Sequence, residues 1–120
     1  MPLFITNLEI DQGATFRRSF IVAAAGSPID LTGYKARAQI RLLPSSTTVL
    51  VDMTTENGVL SIEPLAGKIS IYLPASQTKA LTFTETGAFY DLEIYQVSNP
   101  EEVTRVLGGT VILNPEVTRE

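Results

Sequence analysis

Two carboxylates, Asp91 and Glu93, have residue types and a spacing that could support catalysis. They stand two apart in an alternating segment, so on a β-strand both project from one face, about 6.5–7 Å apart. That separation is near the one between the acid and the base of inverting glycosidases. Such chemistry also needs a concave site and a carboxyl group with a raised pKa. Because Tyr90, Leu92 and Ile94 alternate with them as an apolar face, the pattern favours two solvated outward positions.

The composition excludes most other catalytic and metal chemistry. The 120 residues contain no Cys and no His, which removes disulfides, imidazole bases, the Ser-His-Asp triad and the usual zinc ligands. The acidic residues have no spacing typical of a calcium loop. We therefore expect no metal, no cofactor and no enzymatic activity.

Length and charge narrow the class of protein further. With 13 acidic and 9 basic residues the net charge is −4, which disfavours nucleic acid as a partner because duplex binders concentrate Lys and Arg on one face. No apolar run approaches the roughly 18 residues of a membrane-spanning helix, and the N-terminus has no signal-peptide pattern. We expect one domain over residues 1–120, with neither a nucleic-acid nor a membrane partner.

Apolar residues recur with a period of two, which predicts β-strands. In the clearest run, residues 34–42, the even positions from Tyr34 to Leu42 are apolar and the odd positions are polar. Further strands are predicted over residues 5–10, 14–22, 49–54, 59–63, 68–73, 89–97 and 103–113. About eight short strands separated by turn signals are typical of an all-β antiparallel sandwich.

Three segments separate or interrupt the predicted strands. Asn57-Gly58 is the favoured pair for a tight hairpin turn, and residues 74–81 predict a short helical turn at one end of the sheets. Gly108-Gly109, inside the last strand, predicts a β-bulge or a close approach of another backbone segment, with the bulge favoured. A phosphate-binding loop is disfavoured there because strand residues continue after the glycines.

Basic residues form two candidate contact features. Lys35, Arg37 and Arg41 make an outward row that is expected to face acids on a neighbouring strand, with a subunit contact or a phosphate track as alternatives. Arg18 shares the apolar face of its strand, which predicts an edge position whose charge reaches water. A partner contact is the alternative for Arg18, because arginine is enriched at protein interfaces.

An ordered set of segments resembles small structural proteins of tailed bacteriophages and prophages. The segments include LEIDQGATFRRSF (8–20), SPIDLTGY (27–34), ARAQIR (36–41), TTENG (54–58), GKISIYLPA (67–75), YDLEI (90–94), VTRVLGGTV (103–111) and PEVTR (115–119). Together they cover nearly the whole chain and are similar to the N-terminal domain of phage baseplate upper proteins. The resemblance implies a single immunoglobulin-like sandwich without catalytic or cofactor residues. Many relatives carry Glu-Gly in place of Gly108-Gly109, so a contact through that acid does not carry over.

The resemblance also implies a virion component, made in the host bacterial cytoplasm. It would be present in several symmetric copies, docked on tail or baseplate proteins, with capsid decoration or a head-fibre knob as the alternative placement. Residues 1–6 and 114–120 are the expected docking arms, because Leu3, Phe4 and Val117 have little evident partner inside the domain.

A carbohydrate-binding module of the virion is the alternative from another functional class. Such modules stack sugars on exposed aromatic rings, and Phe89, Tyr95 and Tyr72 are the candidates. The chain has no Trp, so a sugar-binding surface would contain few aromatic rings. Across all of these hypotheses, the predicted partner-contact residues are Leu3, Phe4, Arg18, Lys35, Arg37, Arg41, Tyr95 and Val117.

Overall fold

Strands dominate the computed structural model, which describes residues 4–83 and 87–119. The elements within those residues are β1 (Phe4–Ile5), β2 (Leu8–Asp11), β3 (Phe16–Ile21), β4 (Ala23–Ala24), β5 (Ser27–Pro28), β6 (Tyr34–Arg41), β7 (Val51–Thr54), β8 (Leu60–Glu63), a 3-10 turn (Pro64–Ala66), β9 (Lys68–Leu73), α1 (Ala75–Lys79), β10 (Ala88–Gln96) and β11 (Val103–Asn114). Eight of these strands have four residues or more, and three have two residues. The predictions of about eight strands and of one short helical turn are confirmed.

The strands form two main sheets that enclose one core. The larger sheet has the order β1-β11-β10-β6-β7. β2 also pairs with β11, along residues 111–114, whereas β1 pairs along residues 107–108. The smaller sheet has the order β3-β9-β8. β4 and β5 form a separate two-residue hairpin. β1 and β2 run parallel to β11, whereas the other pairings between described strands are antiparallel. The fold is an all-β sandwich, as the alternation predicts.

Alternation along the strands places the core. In β6, Ala36, Ala38 and Ile40 are buried, and the polar residues between them face outward. In β9, the residues at 69, 71 and 73 are buried in the same way. Burying each isoleucine or leucine side chain among them stabilises the fold by roughly 1.5–3 kcal/mol before entropy is counted. Leu42 is an exception to the prediction: it is 42 % exposed because β6 ends at Arg41.

The predicted hairpin at Asn57-Gly58 is wrong. β7 and β8, which flank this pair, belong to different sheets, and of the two residues only Gly58 has a positive φ, 83°. The Asn57 Oδ1 instead accepts hydrogen bonds from the backbone N–H groups of Thr54 (3.1 Å) and Val59 (3.0 Å). The asparagine therefore stabilises a connection between the two sheets, where a two-residue turn would have paired the strands directly.

The bulge in β11 lies at Val106 and not at the two glycines. Leu107 pairs with Leu92 of β10, whereas Arg105 pairs with the next residue of β10. Val106 is therefore the extra residue, and both Val106 and Leu107 are buried. The glycine pair itself continues the regular ladder with β10.

Gly109 is a position of close backbone approach, the second of the two predicted roles. A Cβ at this position would lie 2.4 Å from the carbonyl oxygen of Thr6. The Thr6 N–H donates to the Gly108 carbonyl at 2.9 Å, and the Tyr90 hydroxyl donates to the Thr6 carbonyl at 2.6 Å. The Asn7 Oδ1 also accepts from the backbone N–H of residue 110 at 3.0 Å. Residues 4–7 are thereby fixed along the edge of β11.

This arrangement bears on the predicted docking arms. Of the segment 1–6, residues 1–3, including Leu3, lie outside the described residues. Phe4 and Ile5 belong to the sheet through β1, yet their side chains are 52 % and 72 % exposed. At the other end, Val117 is 90 % exposed. Docking by these residues stays a prediction, and in residues 4–6 it would involve a strand edge.

Burial of Tyr90 makes stability depend on pH in the alkaline range. Desolvation raises the pKa of Tyr90 from 10.0 to about 12, against a smaller lowering by the charge of Arg18. Between these values the folded chain keeps a proton that the unfolded chain loses. The stabilisation is therefore fully present below pH 10 and is lost as the pH rises toward 12. Urea denaturation should show a steeper alkaline loss of stability for the native chain than for Tyr90→Phe; identical pH profiles would contradict this.

The predicted helical turn, α1, anchors one end of the sandwich through Thr78, a fully buried polar residue. Its hydroxyl accepts the N–H of Gly13 at 3.1 Å and lies 2.8 Å from the Ala14 carbonyl and 3.1 Å from the Ala75 carbonyl. Gln12, the residue before Gly13, donates from its Nε2 to the carbonyl of residue 81 at 2.7 Å. Its Oε1 accepts the N–H of residue 116 at 2.9 Å. The β2–β3 turn, α1 and the segment after β11 are thus linked.

Candidate functional site

The outward side chains of β6 and β10, hereafter the β6–β10 face, collect most of the predicted site residues. The two strands pair antiparallel over eight residues, so their outward residues stand opposite each other. The opposite pairs are Phe89–Arg41, Asp91–Gln39, Glu93–Arg37 and Tyr95–Lys35. Four of the eight predicted contact residues, namely Lys35, Arg37, Arg41 and Tyr95, therefore lie on one sheet face.

Asp91 and Glu93 project from this face, as predicted, and each contacts an arginine. The Arg37 Nε lies 3.0 Å from the Glu93 Oε1, and the Arg105 Nε lies 3.4 Å from the Asp91 Oδ2. A general acid needs an apolar surrounding that favours its protonated form, whereas these carboxylates stand beside cations. The geometry is that of two cross-strand ion pairs.

The predicted acidic partner on a neighbouring strand is confirmed for Arg37 alone. Lys35 pairs with an acid of the turn after β7, and within the described residues Arg41 contacts no carboxylate. Arg37 also packs over the Tyr95 ring, 4.7 Å from its centroid. The Lys35 Nζ pairs with Glu56, and this hydrogen bond raises the pKa of Lys35 and lowers that of Glu56. Arg41 donates to the carbonyl of residue 46 at 2.6 Å and to the Gln39 side chain at 2.7 Å. Because each cation already has a partner, a phosphate track along this row is disfavoured.

A depression of about 340 Å³ lies on this face between β6, β7 and β10. Three carboxylates, those of Asp52, Asp91 and Glu93, line it together with Arg37 and Arg41. The lining therefore carries charges of both signs with one carboxylate in excess, which favours neither a strongly acidic nor a strongly basic ligand. A smaller hollow of about 150 Å³ lies beside Phe89.

Removing one ion pair from this face should change stability little. Both Arg37 and Glu93 are partly exposed, and such pairs contribute about 0–1 kcal/mol. We expect Glu93→Gln to lower the free energy of unfolding by less than about 1 kcal/mol. A double-mutant cycle with Arg37→Gln, measured by urea denaturation, should give a coupling energy that shrinks as salt is added. A coupling of several kcal/mol, or one insensitive to salt, would contradict the geometry.

The other predicted contact residues do not join the β6–β10 face. Arg18 lies on β3 of the smaller sheet, with its guanidinium 5.2 Å from the centroid of the Phe20 ring. The side chain is exposed and β3 is an edge strand, which agrees with the predicted edge position. Phe4 lies on β1, and Val117 follows β11. The predicted contact residues thus occupy several separate surfaces.

The aromatic residues considered for sugar stacking lie on two different sheets. Phe89 and Tyr95 lie on the β6–β10 face, six residues apart on β10. Tyr72 lies on the outer side of β9 in the smaller sheet, beneath Arg17 at 4.7 Å. No common platform forms from the three rings.

Two features were not singled out by the sequence prediction. Ile5 and Ile112, 72 % and 50 % exposed, both lie along the outward side of the β11 edge. Arg17 contacts Tyr72 across two strands of the smaller sheet. The alternation of apolar and polar residues could have identified these side chains as outward-facing, because their neighbours along the strand face the core. The alternation does not show which strands lie at the edge of a sheet.

The described residues contain neither a cluster suited to a metal ion nor a membrane-spanning helix. Within residues 4–83 and 87–119, no group of three acidic side chains is placed to hold a metal ion. The one α-helix found there has five residues, so none is long and apolar enough to cross a membrane.

Comparison with known proteins supports the fold alone. No known protein family matches the chain, and no curated protein matches it. Among solved structures, a chicken TCR aligns with a TM-score of 0.54 at 16 % identity, covering 95 % of this chain and 55 % of that one. The chain thus spans about half the length of this structural neighbour. The sandwich is immunoglobulin-like.

Proposed function

We propose that this chain is a non-enzymatic structural subunit of a tailed-bacteriophage virion. In this proposal it docks in repeated copies on the tail or baseplate after synthesis in the host cytoplasm. The ordered resemblance of its segments to baseplate upper proteins supports the kind of particle. The immunoglobulin-like fold agrees with the fold that this resemblance implies.

The observation that carries the proposal is a set of exposed apolar side chains on a firmly held strand edge. Phe4, Ile5 and Ile112, hereafter the N-terminal edge, are each at least half exposed. β1 pairs with β11, and Tyr90 holds the following residue, Thr6, by a hydrogen bond. Apolar side chains exposed along one strand edge make that edge a candidate protein contact site. Because the backbone beneath them is already ordered, docking there loses little conformational entropy.

The ion-paired carboxylates of the β6–β10 face support a structural role in a second way. Glu93 pairs with Arg37, and Asp91 pairs with Arg105 of β11, so both carboxylates of this face are compensated within the domain. A repeated subunit benefits from such a face, because unbalanced charge repels neighbouring copies. Symmetric assembly then strengthens each weak contact through avidity.

Purified particles test the proposal. Particles from the bacterial strain that encodes the chain should contain it at a fixed copy number by quantitative mass spectrometry. Electron microscopy with an antibody label should place it on the tail or baseplate. Label on the head would overturn the tail placement in favour of capsid decoration, and particles without the chain would overturn the virion role.

A pair of variants tests the docking surface. Phe4→Ser with Ile5→Ser should reduce incorporation into particles at least tenfold while the purified domain stays folded. Leu65→Ser is the matched control, because Leu65 is also exposed but lies in the 3-10 turn between β8 and β9. Equal incorporation of both variants would show that the N-terminal edge is not the docking surface.

A further inference from the structure

The edge of the smaller sheet at β3 offers unused backbone hydrogen-bonding groups. β3 pairs with β9 on one side, and no described strand pairs with its other side. The Val22 N–H donates to the Gly67 carbonyl at 2.8 Å, which fixes the alternation of the antiparallel ladder. The backbone groups of every second residue, Arg17, Ser19 and Ile21, therefore point away from β9.

The charge of this edge differs from that of the rest of the chain. Arg17 lies over the Tyr72 ring and Arg18 over the Phe20 ring, at 4.7 Å and 5.2 Å from the centroids. Within the described residues neither arginine contacts a carboxylate, as is also true of Arg41 and Arg119, whereas the other five basic side chains do. Arg17 and Arg18 are the two of these four that are adjacent on one strand. In a protein of net charge −4, β3 is thus a local positive edge.

We infer that the β3 edge accepts an extended acidic segment of another protein as an added β-strand. Backbone pairing to residues 17, 19 and 21 supplies the affinity, as in other cases of strand addition. Arg17 and Arg18 project to opposite sides of β3, so a segment with two consecutive acidic residues presents one carboxylate to each. Opposite charges placed across neighbouring strands stabilise their pairing.

A second copy of β3 is a poor occupant of the same edge. Antiparallel self-pairing that uses all three outward residues places Ser19 opposite Ser19, so the two Arg18 side chains lie diagonally across the strands, two residues apart. Like charges placed across strands are destabilising. Charged edge residues also protect sheets from aggregation, and here the same two arginines repel identical or basic strands while attracting acidic ones. The inference rests on β3 alone and is independent of the virion proposal.

A peptide titration followed by NMR tests this inference. The probe is a capped eight-residue peptide with two central glutamates flanked by valine and threonine, and the matched peptide carries glutamines instead. The glutamate peptide should bind at least tenfold more tightly. Its binding should slow hydrogen exchange at the amides of Arg17, Ser19 and Ile21, which point to the open edge, with little change at Arg18 and Phe20.

Variants of the protein and of the peptide separate strand addition from general charge attraction. Arg17→Ser with Arg18→Ser should weaken binding about tenfold, whereas the control Arg105→Ser, on the larger sheet, should leave it unchanged. N-methylation of alternate amides in the peptide should abolish binding while preserving its charge. The inference is overturned if the two peptides bind equally, if neither binds at millimolar concentration, or if exchange slows elsewhere. Self-association through β3, seen by sedimentation, would also overturn it.

Discussion

Gly109→Ala should displace the first strand from the sheet and lower the free energy of unfolding by about 2–3 kcal/mol. The added methyl group would lie 2.4 Å from the Thr6 carbonyl oxygen and 2.9 Å from the Asn7 Oδ1. Because the nearest atom, the Thr6 oxygen, belongs to the backbone, a side-chain rotation cannot relieve that overlap. The hydrogen bonds from Thr6 to Gly108 and from Tyr90 to Thr6 should be lost together with β1.

Urea denaturation and hydrogen exchange at the Thr6 amide measure this effect. The control is Gly26→Ala, since a Cβ there has no atom within 4 Å, and only its positive φ of 81° adds strain of roughly 1–2 kcal/mol. In a double-mutant cycle, Tyr90→Phe should have little further effect once Gly109→Ala has displaced its partner. Additive effects of Tyr90→Phe and Gly109→Ala, or continued protection of the Thr6 amide, would show that the strand stays in place.

Thr78→Val should destabilise the domain by about 1–3 kcal/mol although it preserves the shape of the side chain. The hydroxyl of Thr78 accepts the Gly13 N–H and lies within hydrogen-bonding distance of the Ala14 carbonyl. Valine would leave these partly buried backbone groups without that partner, next to a side chain that is itself fully buried. The penalty for an unpaired buried group exceeds the net contribution of an ordinary hydrogen bond.

Thr78→Ser provides the matched comparison, because it keeps the hydroxyl and removes only a methyl group. We expect it to lose about 1 kcal/mol, less than Thr78→Val, when both are compared by thermal and urea denaturation. Hydrogen exchange at the Gly13 amide should accelerate in the valine variant alone. If the valine variant were as stable as the native chain, the hydroxyl network would have no energetic role.

Local sequence patterns predicted the strands well, since side-chain alternation depends on one residue and its immediate neighbours. Ala36, Ala38 and Ile40 show this in β6, where each buried residue is flanked by outward polar ones. For the pair Arg37–Glu93, the sequence predicted only that basic residues of β6 would face acids of a neighbouring strand. The structure shows that this neighbour is β10.

Contacts between distant segments were the part that local patterns could not supply. Asn57-Gly58 has the composition of a hairpin turn, yet the strands on either side pair within different sheets. The reason lies in the tertiary arrangement, because β7 pairs with β6 and β8 pairs with β9. Likewise, the bulge falls at Val106, where no glycine marks it, whereas Gly109 is explained by Thr6 approaching from the other end of the chain.

Of the candidate site, the sequence correctly placed Asp91 and Glu93 outward and Arg18 at an edge. It did not identify Arg17 as part of an open positive edge, because the absence of a neighbour beside β3 depends on where β1 and β2 pair. Those strands lie on β11, in the other sheet. The choice of sheet made by the first strands therefore determines which edge remains open.

The parallel pairing of the first strands with β11 also has a kinetic consequence. Asn7 and the residue whose N–H it accepts lie 103 positions apart, so this edge joins segments from opposite ends of the chain. Such pairing requires closure of a very long loop, and folds rich in distant contacts form slowly. During synthesis on the ribosome, β1 and β2 cannot pair until their partner strand, β11, has emerged. Completion of the larger sheet is therefore expected to be a late step in folding.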